Sequence, residues 1–252
     1  MNPPSSLLSS MGVNITEYSQ ALSIEKESAE FDWASEKIKL LITILKSFPN
    51  CNRVADIGCR TGGQAAYYRD QAGIREMHGF EISSAPLLEA EKKGIVGHEW
   101  ISGISLCPVE DNYFDAIIAG DLIEHLLDTD VFLEELVRVV KPEGYLLITT
   151  PNIAWWWNRI RLLIGKVPAN IGSVSFNHAR DVAVDKKHLR VSVNSEWHYL
   201  FEQYGLEVVA TKGYCYPKLL RSPLNLLDVW MSQHPGTAHS NLFVLRKRIQ
   251  EK

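Results

Sequence analysis

No apolar run in this 252-residue chain approaches the roughly 18 residues of a membrane-spanning helix. The opening MNPPSSLLSS lacks basic residues and a true apolar core, so it does not read as a secretory signal. Cysteine is scarce: Cys51, Cys59, Cys107 and Cys215 show neither metal-like nor disulfide-like spacing, which fits a reducing cytoplasm. Excess positive charge is lacking as well. A net charge of −4 argues against a general nucleic-acid binder, while local basic patches stay open. Internal repeats are absent. What is present, 46% hydrophobic and 22% charged residues, is the composition of an ordinary soluble globular protein.

Residues 1–30 begin with a stretch rich in Pro, Ser and Asn and read as a loose N-terminal arm. From Phe31 to Leu45 apolar residues recur at helical spacing. Then strand and helix patterns alternate. NRVADIG, EMHGFEIS, YFDAIIAG and YLLITTPN read as strands, and SAPLLEAEKKG and TDVFLEELVRVVKPEG as helices ended by glycine or Pro-Glu-Gly. SEWHYLFEQYGLEVVATKGY continues as helix then strand, and SNLFVLRKR closes as a last strand. Such alternation predicts an α/β fold, a mostly parallel sheet covered on both faces, with residues 31–252 as a single domain.

VADIGCRTGG places a strand end, a glycine turn and a helix start where a doubly wound fold binds a nucleotide. A dinucleotide site needs G-x-G-x-x-G, whose middle glycine lets the backbone approach a pyrophosphate. Counted from Gly58, that place holds Arg60, and Asp56 would repel phosphates. Both residues speak against a nicotinamide oxidoreductase. A ligand with an ammonium group and no phosphate suits Asp56, and S-adenosylmethionine is one. Glu81 ends the second strand 23 residues after Gly58, where an acid can accept both ribose hydroxyls. Dinucleotide folds use an acid there too, so Glu81 alone does not choose between the ligands.

VADIGCRTGG, GFEIS, EDNYFDAIIAGDLIEHL and RVVKPEGYLLITTPN together resemble consecutive motifs of class I S-adenosylmethionine-dependent methyltransferases, over roughly residues 35 to 152. The resemblance implies a Rossmann-like, seven-stranded sheet in a three-layer sandwich, its last strand antiparallel beside YLLITT. It implies that Asp56, Gly58, Cys59 and Gly62 line the methionine end of the cofactor, that Glu81 holds the ribose, and that Gly120 sits beside the bound ligand. Two departures stand out. Arg60 replaces the usual second glycine, and the acid that often accepts from the adenine amine is replaced by Gly103, followed by Ile104. Adenine would then rest on backbone groups and apolar packing around Ile104.

The acceptor side lies in insertions at about 153–190 and 213–238. PNIAWWWNRIRLLIGKVP carries three successive tryptophans, which on a helix span about 200° of its circumference, so at least one should leave the core face. A buried lid helix, an aromatic platform for a sugar or ring, and an interfacial helix in peripheral membrane contact all stay open. The pattern is similar to methyltransferases of cell-surface polysaccharide and sugar-modifying pathways, and to methionine-biosynthesis W-type proteins. The leading expectation is O-methyl transfer to a hydroxyl of a small-molecule, sugar or glycan-like acceptor. N-methylation, or a non-catalytic cofactor-binding partner of the W type, are the alternatives.

IIAGDLIEHLL follows the fourth strand at residues 117–127. If it turns helically, Asp121, Glu124 and His125 share a face at i, i+3 and i+4. Three readings fit: a capping box, His125 as general base, or a metal site. The metal reading rests on resemblance to the small-RNA 2'-O-methyltransferases and the ubiquinone-biosynthesis O-methyltransferases, which implies Asp121, Glu124, His125 and His188 as ligands of a divalent ion, Mg²⁺ or Mn²⁺.

Overall fold

The twelve residues Glu36–Ser47 form helix α1, whose apolar stripe buries Ile38, Leu41 and Leu45 and whose N-terminus Ser35 caps by accepting from the Ile38 N–H. The computed structural model describes residues 35–171, 188–216 and 223–249. The N-terminal arm and the expected helix start at Phe31 lie outside the described residues.

The sheet is built from β1 (Arg53–Ile57), β2 (Glu76–Glu81), β3 (Val96–Glu99), β4 (Phe114–Gly120), β5 (Val140–Pro151), β6 (Leu206–Tyr214) and β7 (Ser240–Lys247). Their spatial order is β3-β2-β1-β4-β5-β7-β6. Strand β7 runs antiparallel to both neighbours, with Leu147 opposite Val244, while the pairings among β1 to β5 are parallel. This is the Rossmann-like arrangement expected from the resemblance. Six of these strands follow from the sequence pattern. The seventh, β3, is only four residues long, half exposed and split by Gly97, so it carries almost no period-two signal.

Helices α2 (Gly63–Ala72) and α3 (Ser84–Glu91) pack with α1 on one face of the sheet, around Tyr68, Leu87 and Met77. On the other face, α4 (Thr129–Val139) and α6 (Asn194–Gln203) bury Phe132, Leu133, Trp197 and Phe201 against Phe243 and Ile148. Helix α4 does not end at Pro-Glu-Gly. It gives way at Val140 directly to β5, and Pro142-Glu143-Gly144 sits within that strand, where the register against β4 shifts and Glu143 takes φ 61°. A third, small cluster joins Trp155, Trp156 and Ala169 to Leu224 and Met231, and so ties α5 (Trp156–Leu163) to α7 (Leu224–Met231). The carboxyl ends of β1, β2, β4 and β5 come together on one edge, where open α/β sheets place their ligands.

Candidate cofactor and acceptor site

After β1 the chain turns through Gly58 (φ 78°), Arg60 (φ 52°) and Gly62 (φ 71°) into α2. Gly62 is required twice over. Its backbone is left-handed, and an added Cβ would lie 2.7 Å from the Ala90 Cβ, so a side chain would push α2 off α3. Arg60 adopts the left-handed turn without being glycine, and its N–H donates to Glu81 Oε2 at 3.0 Å. Glu81 Oε1 accepts from the Ile82 N–H at 2.8 Å. Two backbone donors thus aim the Glu81 carboxylate along the turn. The Gly58 and Cys59 N–H groups both donate to the Phe80 carbonyl. The Cys59 side chain turns away from this edge into the core, its sulfur occupying the space an added Cβ on Gly79 would need. Cys59 can therefore touch a ligand only through its backbone.

Asp56 is 6% exposed at the end of β1. Burial pushes its carboxyl up to about 7, with Lys37 and Arg60 opposing and Glu81 adding to the rise. A cationic ligand group would remove that cost, and the donor set fits the methionyl end of S-adenosylmethionine. In the turn after β3, Gly103 has φ 76°, and a Cβ there would meet the Asp128 carbonyl oxygen at 2.7 Å. An acid, which the resemblance would place here, has no room at this position. Ile104 is half buried beside it, in the turn that Trp100 Nε1 closes by donating to the Ser105 carbonyl.

Past Gly120 the chain does not form the expected helical face. Asp121 takes φ 50° and only a three-residue 3-10 turn follows, Ile123–His125, with no side-chain cap. The capping-box reading fails here; the capped helix is α4, where Asp128 accepts from the Asp130 and Val131 N–H groups. Asp121 points instead into a closed network. It accepts from Lys37 Nζ at 2.7 Å, Thr149 Oγ1 at 2.8 Å, Tyr216 OH at 3.1 Å and Tyr214 OH at 3.2 Å. Burial pushes the Asp121 carboxyl up, but the Lys37 charge and these donors outweigh it and hold it well below the ordinary range.

Glu124 faces the other way. It is fully buried, and neither carboxylate oxygen has a hydrogen-bond partner among the described residues. Burial, and then the charge of Asp121, raise its carboxyl far above the ordinary range. The Glu124 carbonyl accepts from the Leu189 and Arg190 N–H groups, which carries His188 into the site. One ligand atom each of Glu124, His125 and His188 lies within 4.8 Å of the others. His188 Nε2 is 4.0 Å from Glu124 Oε1, and its Nδ1 is 2.7 Å from the Asn170 carbonyl. An Nδ1–H donated to that carbonyl fixes the ring, with Nε2 on the side of Glu124. Asp121, expected as a fourth ligand, is not in this cluster, because its left-handed backbone and four donors turn it toward α1 and β6.

The tryptophans also settle differently. Trp155 precedes α5 rather than lying on it, and it and Trp156 are buried, both indole N–H groups donating to Asp228 Oδ1 at 2.6 and 2.8 Å. Trp157 is the half-buried member. The exposed surface comes next in the chain: Leu162, Leu163, Ile164 and Val167 are open to solvent, as are Leu226 and Trp230 on α7. The residues that the sequence reading missed, Lys37, Thr149, Asn170, Tyr214, Tyr216 and Asp228, share no local motif. Lys37 lies 84 positions from Asp121, and Trp155 lies 73 from Asp228.

A parallel sheet with an antiparallel seventh strand, a glycine turn after β1 and an acid ending β2 define a class I S-adenosylmethionine-dependent methyltransferase. The methyltransferase domain family model matches residues 30–211, and the chain belongs to that family. It is 34% identical over 100 residues to phosphoethanolamine N-methyltransferase 2 of Caenorhabditis elegans, covering 37% of this chain and 22% of that protein. It is 31% identical over 99 residues to a fatty-acid O-methyltransferase of Mycolicibacterium smegmatis, covering 38% and 36%. The chain thus spans well under half the length of these curated relatives. Among solved structures it superposes on a possible histamine N-methyltransferase from Thermotoga maritima with a TM-score of 0.57 at 20% identity, covering 84% and 89% of the two chains, a likeness of fold.

Proposed function

We propose that the protein transfers the methyl group of S-adenosylmethionine to a hydroxyl of a small, partly apolar acceptor, and that Glu124, His125 and His188 hold a divalent ion at the acceptor oxygen. The observation that carries this reading is the Glu124 carboxylate, buried with no hydrogen-bond partner for either oxygen among the described residues, beside two imidazoles. A buried polar group without a partner is costly, and a ligand that supplies one removes the cost. The His188–Asn170 contact fits, since a metal-binding imidazole commonly gives its other N–H to a carbonyl that fixes its tautomer. One carboxylate and two imidazoles suit Mn²⁺ or a similar borderline ion better than an ion that prefers oxygen alone.

The sulfonium cofactor brings an already activated methyl group, so the chain's own task is to align the acceptor and remove its proton. An ion at this cluster would lower the pKa of the bound hydroxyl, which favours oxygen over nitrogen as the acceptor atom. A second reading makes His125 the general base. It is favoured by exposure, since His125 is the half-buried member of a cluster whose other two side chains are closed to solvent. The acceptor reading shifts from a sugar platform toward an apolar molecule. Trp155 and Trp156 are sealed by Asp228, whereas the open surface carries Leu162, Leu163 and Ile164. The fatty-acid O-methyltransferase among the relatives points the same way.

Calorimetry with S-adenosylmethionine and with NAD, followed by a methyl-transfer screen with and without EDTA, tests the reading. Binding of S-adenosylmethionine alone, loss of transfer in EDTA, recovery with Mn²⁺ or Mg²⁺, and loss in His188→Ala are expected. Full activity in EDTA together with an active His188→Ala would sink the ion. A His125→Ala variant that binds cofactor but transfers nothing would then establish the base.

A further inference from the structure

His239 lies directly before β7 and is 5% exposed. Its carbonyl accepts from the Asn152 N–H at 2.9 Å, which ties it to the residue that follows β5. Its ring meets Trp155 and Tyr216 edge-on, with 4.7 and 5.4 Å between centroids. Both ring nitrogens are engaged: Nε2 is 2.6 Å from Asn170 Nδ2, and Nδ1 is 2.8 Å from Ser240 Oγ. A side-chain amide nitrogen only donates, so Nε2 is the accepting nitrogen and Nδ1 carries the proton. Burial, with the nearby His188 adding to it and Asp121 opposing, lowers the pKa of the ring to about 4 and so keeps it in that neutral form. Asn170 links this ring to the Glu124 cluster. It takes φ 63°, a left-handed turn without glycine, and its carbonyl is 2.7 Å from His188 Nδ1. On α5, Asn158 accepts from the Ala169 N–H at 2.7 Å and donates to the Ala169 carbonyl at 3.3 Å. That anchor stops one residue short of Asn170, whose side chain is held by His239.

We propose that His239 is a positioning residue for His188: it grips the Asn170 side chain, holds that residue in its left-handed turn, and so aims the carbonyl that fixes the His188 ring. The inference rests on the ion reading above and deepens it. A metal-binding imidazole whose second N–H has a fixed acceptor keeps one tautomer and one orientation, and loss of that support costs about ten- to a hundredfold in metal affinity. Here the acceptor is a backbone carbonyl, which no side-chain substitution removes but which a change at its own residue can turn. The chain of contacts from His239 through Asn170 to His188 joins three separate segments, and it ties the acceptor-side insertion to the start of β7. Its far end is neutral, so it orients His188 without adding a charge beside Glu124.

The test titrates Mn²⁺ calorimetrically into the full chain and into His239→Leu, His239→Gln and Asn170→Gly, with S-adenosylmethionine affinity measured beside it. Glutamine sets an amide oxygen near the place of Nε2. Glycine accepts φ 63° and keeps the carbonyl, but it has no side chain for His239 to hold. His239→Leu and Asn170→Gly should each weaken Mn²⁺ binding by about ten- to a hundredfold. The double variant should be no weaker than either single one, and His239→Gln should regain most of the affinity. Cofactor affinity should hold throughout. Unchanged Mn²⁺ affinity in Asn170→Gly, or losses that add in the double variant, overturns the proposal and leaves His239 as packing for Trp155. If the unsubstituted protein binds no Mn²⁺, the ion reading falls by itself, and the ¹⁵N shifts of the His188 ring decide. The Nδ1–H tautomer should then be present in the unsubstituted protein and in His239→Gln and be lost in His239→Leu. Its persistence in His239→Leu overturns the proposal.

Discussion

The two halves of the site are built by different means. On the proposed cofactor side, Asp56, Gly58, Arg60, Gly62 and Glu81 lie within 26 positions, and much of the geometry belongs to the backbone: positive φ angles, a glycine pressed on Ala90, and N–H groups aimed at a carboxylate. On the proposed acceptor side the contacts join side chains far apart in the chain, Trp155 to Asp228, Glu124 to His188, and Asn170 to His239. A backbone-built site tolerates few residue types at a few places. A side-chain-built site has many solutions that leave no common sequence mark. A single fold can therefore keep one cofactor and change acceptors.

The largest effects should separate the halves by the kind of substitution each resists. Gly62→Ala adds one methyl group, yet it should cost about 2–4 kcal/mol, because the left-handed backbone and the Ala90 contact both oppose it. Asp228→Ala should cost a comparable amount by leaving two buried indole N–H groups without an acceptor. Here a conservative change should rescue: Asp228→Asn keeps a carbonyl oxygen and should lose only about 1 kcal/mol. Denaturant melts of the three variants check this. If Asp228→Asn proves as damaging as Asp228→Ala, the acceptor side depends on charge rather than on hydrogen-bond geometry.

A smaller effect tests the cofactor side by pH. With its folded carboxyl at about 7 against an ordinary 3.8, Asp56 binds more protons in the folded state than in the unfolded one. Its contribution to the stability of the free protein is present below about pH 4 and is lost as pH rises through 7. Cofactor affinity should run the opposite way, because the cationic ligand prefers the ionised carboxylate. It should fall by up to about tenfold per pH unit below 7, with proton release on binding, and Asp56→Asn should flatten the profile. Calorimetry in buffers of different ionisation enthalpy measures the released protons. A flat profile in the unsubstituted protein would place Asp56 outside the contact.

The smallest effect belongs to the open face of α5. Leu163 is 86% exposed, so Leu163→Ser should change stability by less than about 0.5 kcal/mol. If this face receives an apolar acceptor, KM should rise with kcat preserved. Flotation with anionic vesicles tests whether the face also rests on a bilayer, and failure to float would leave a dissolved acceptor.

Alternating strand and helix patterns, the Asp56–Gly62 turn and Glu81 were legible in the sequence because each is a local arrangement with a local mark. Strand β3 escaped because four half-exposed residues around Gly97 carry no period. Glu143 and Val140 were assigned to a helix end because a bulged strand start reads like a helix stop.

By itself, then, the sequence determined the layered fold and the cofactor turn, since backbone conformation at Gly58 and Gly62 and the periodicity of the strands are dictated by neighbouring residues. Only the tertiary structure decided what DLIEH does. Asp121 and Glu124 are three residues apart and chemically alike, but one meets four donors from α1, β5, β6 and the residues just after it, and the other meets none among the described residues. Which carboxylate is satisfied and which is left without a hydrogen-bond donor depends on side chains brought from up to 95 positions away. No local pattern encodes that choice, because desolvation and charge pairing act through space.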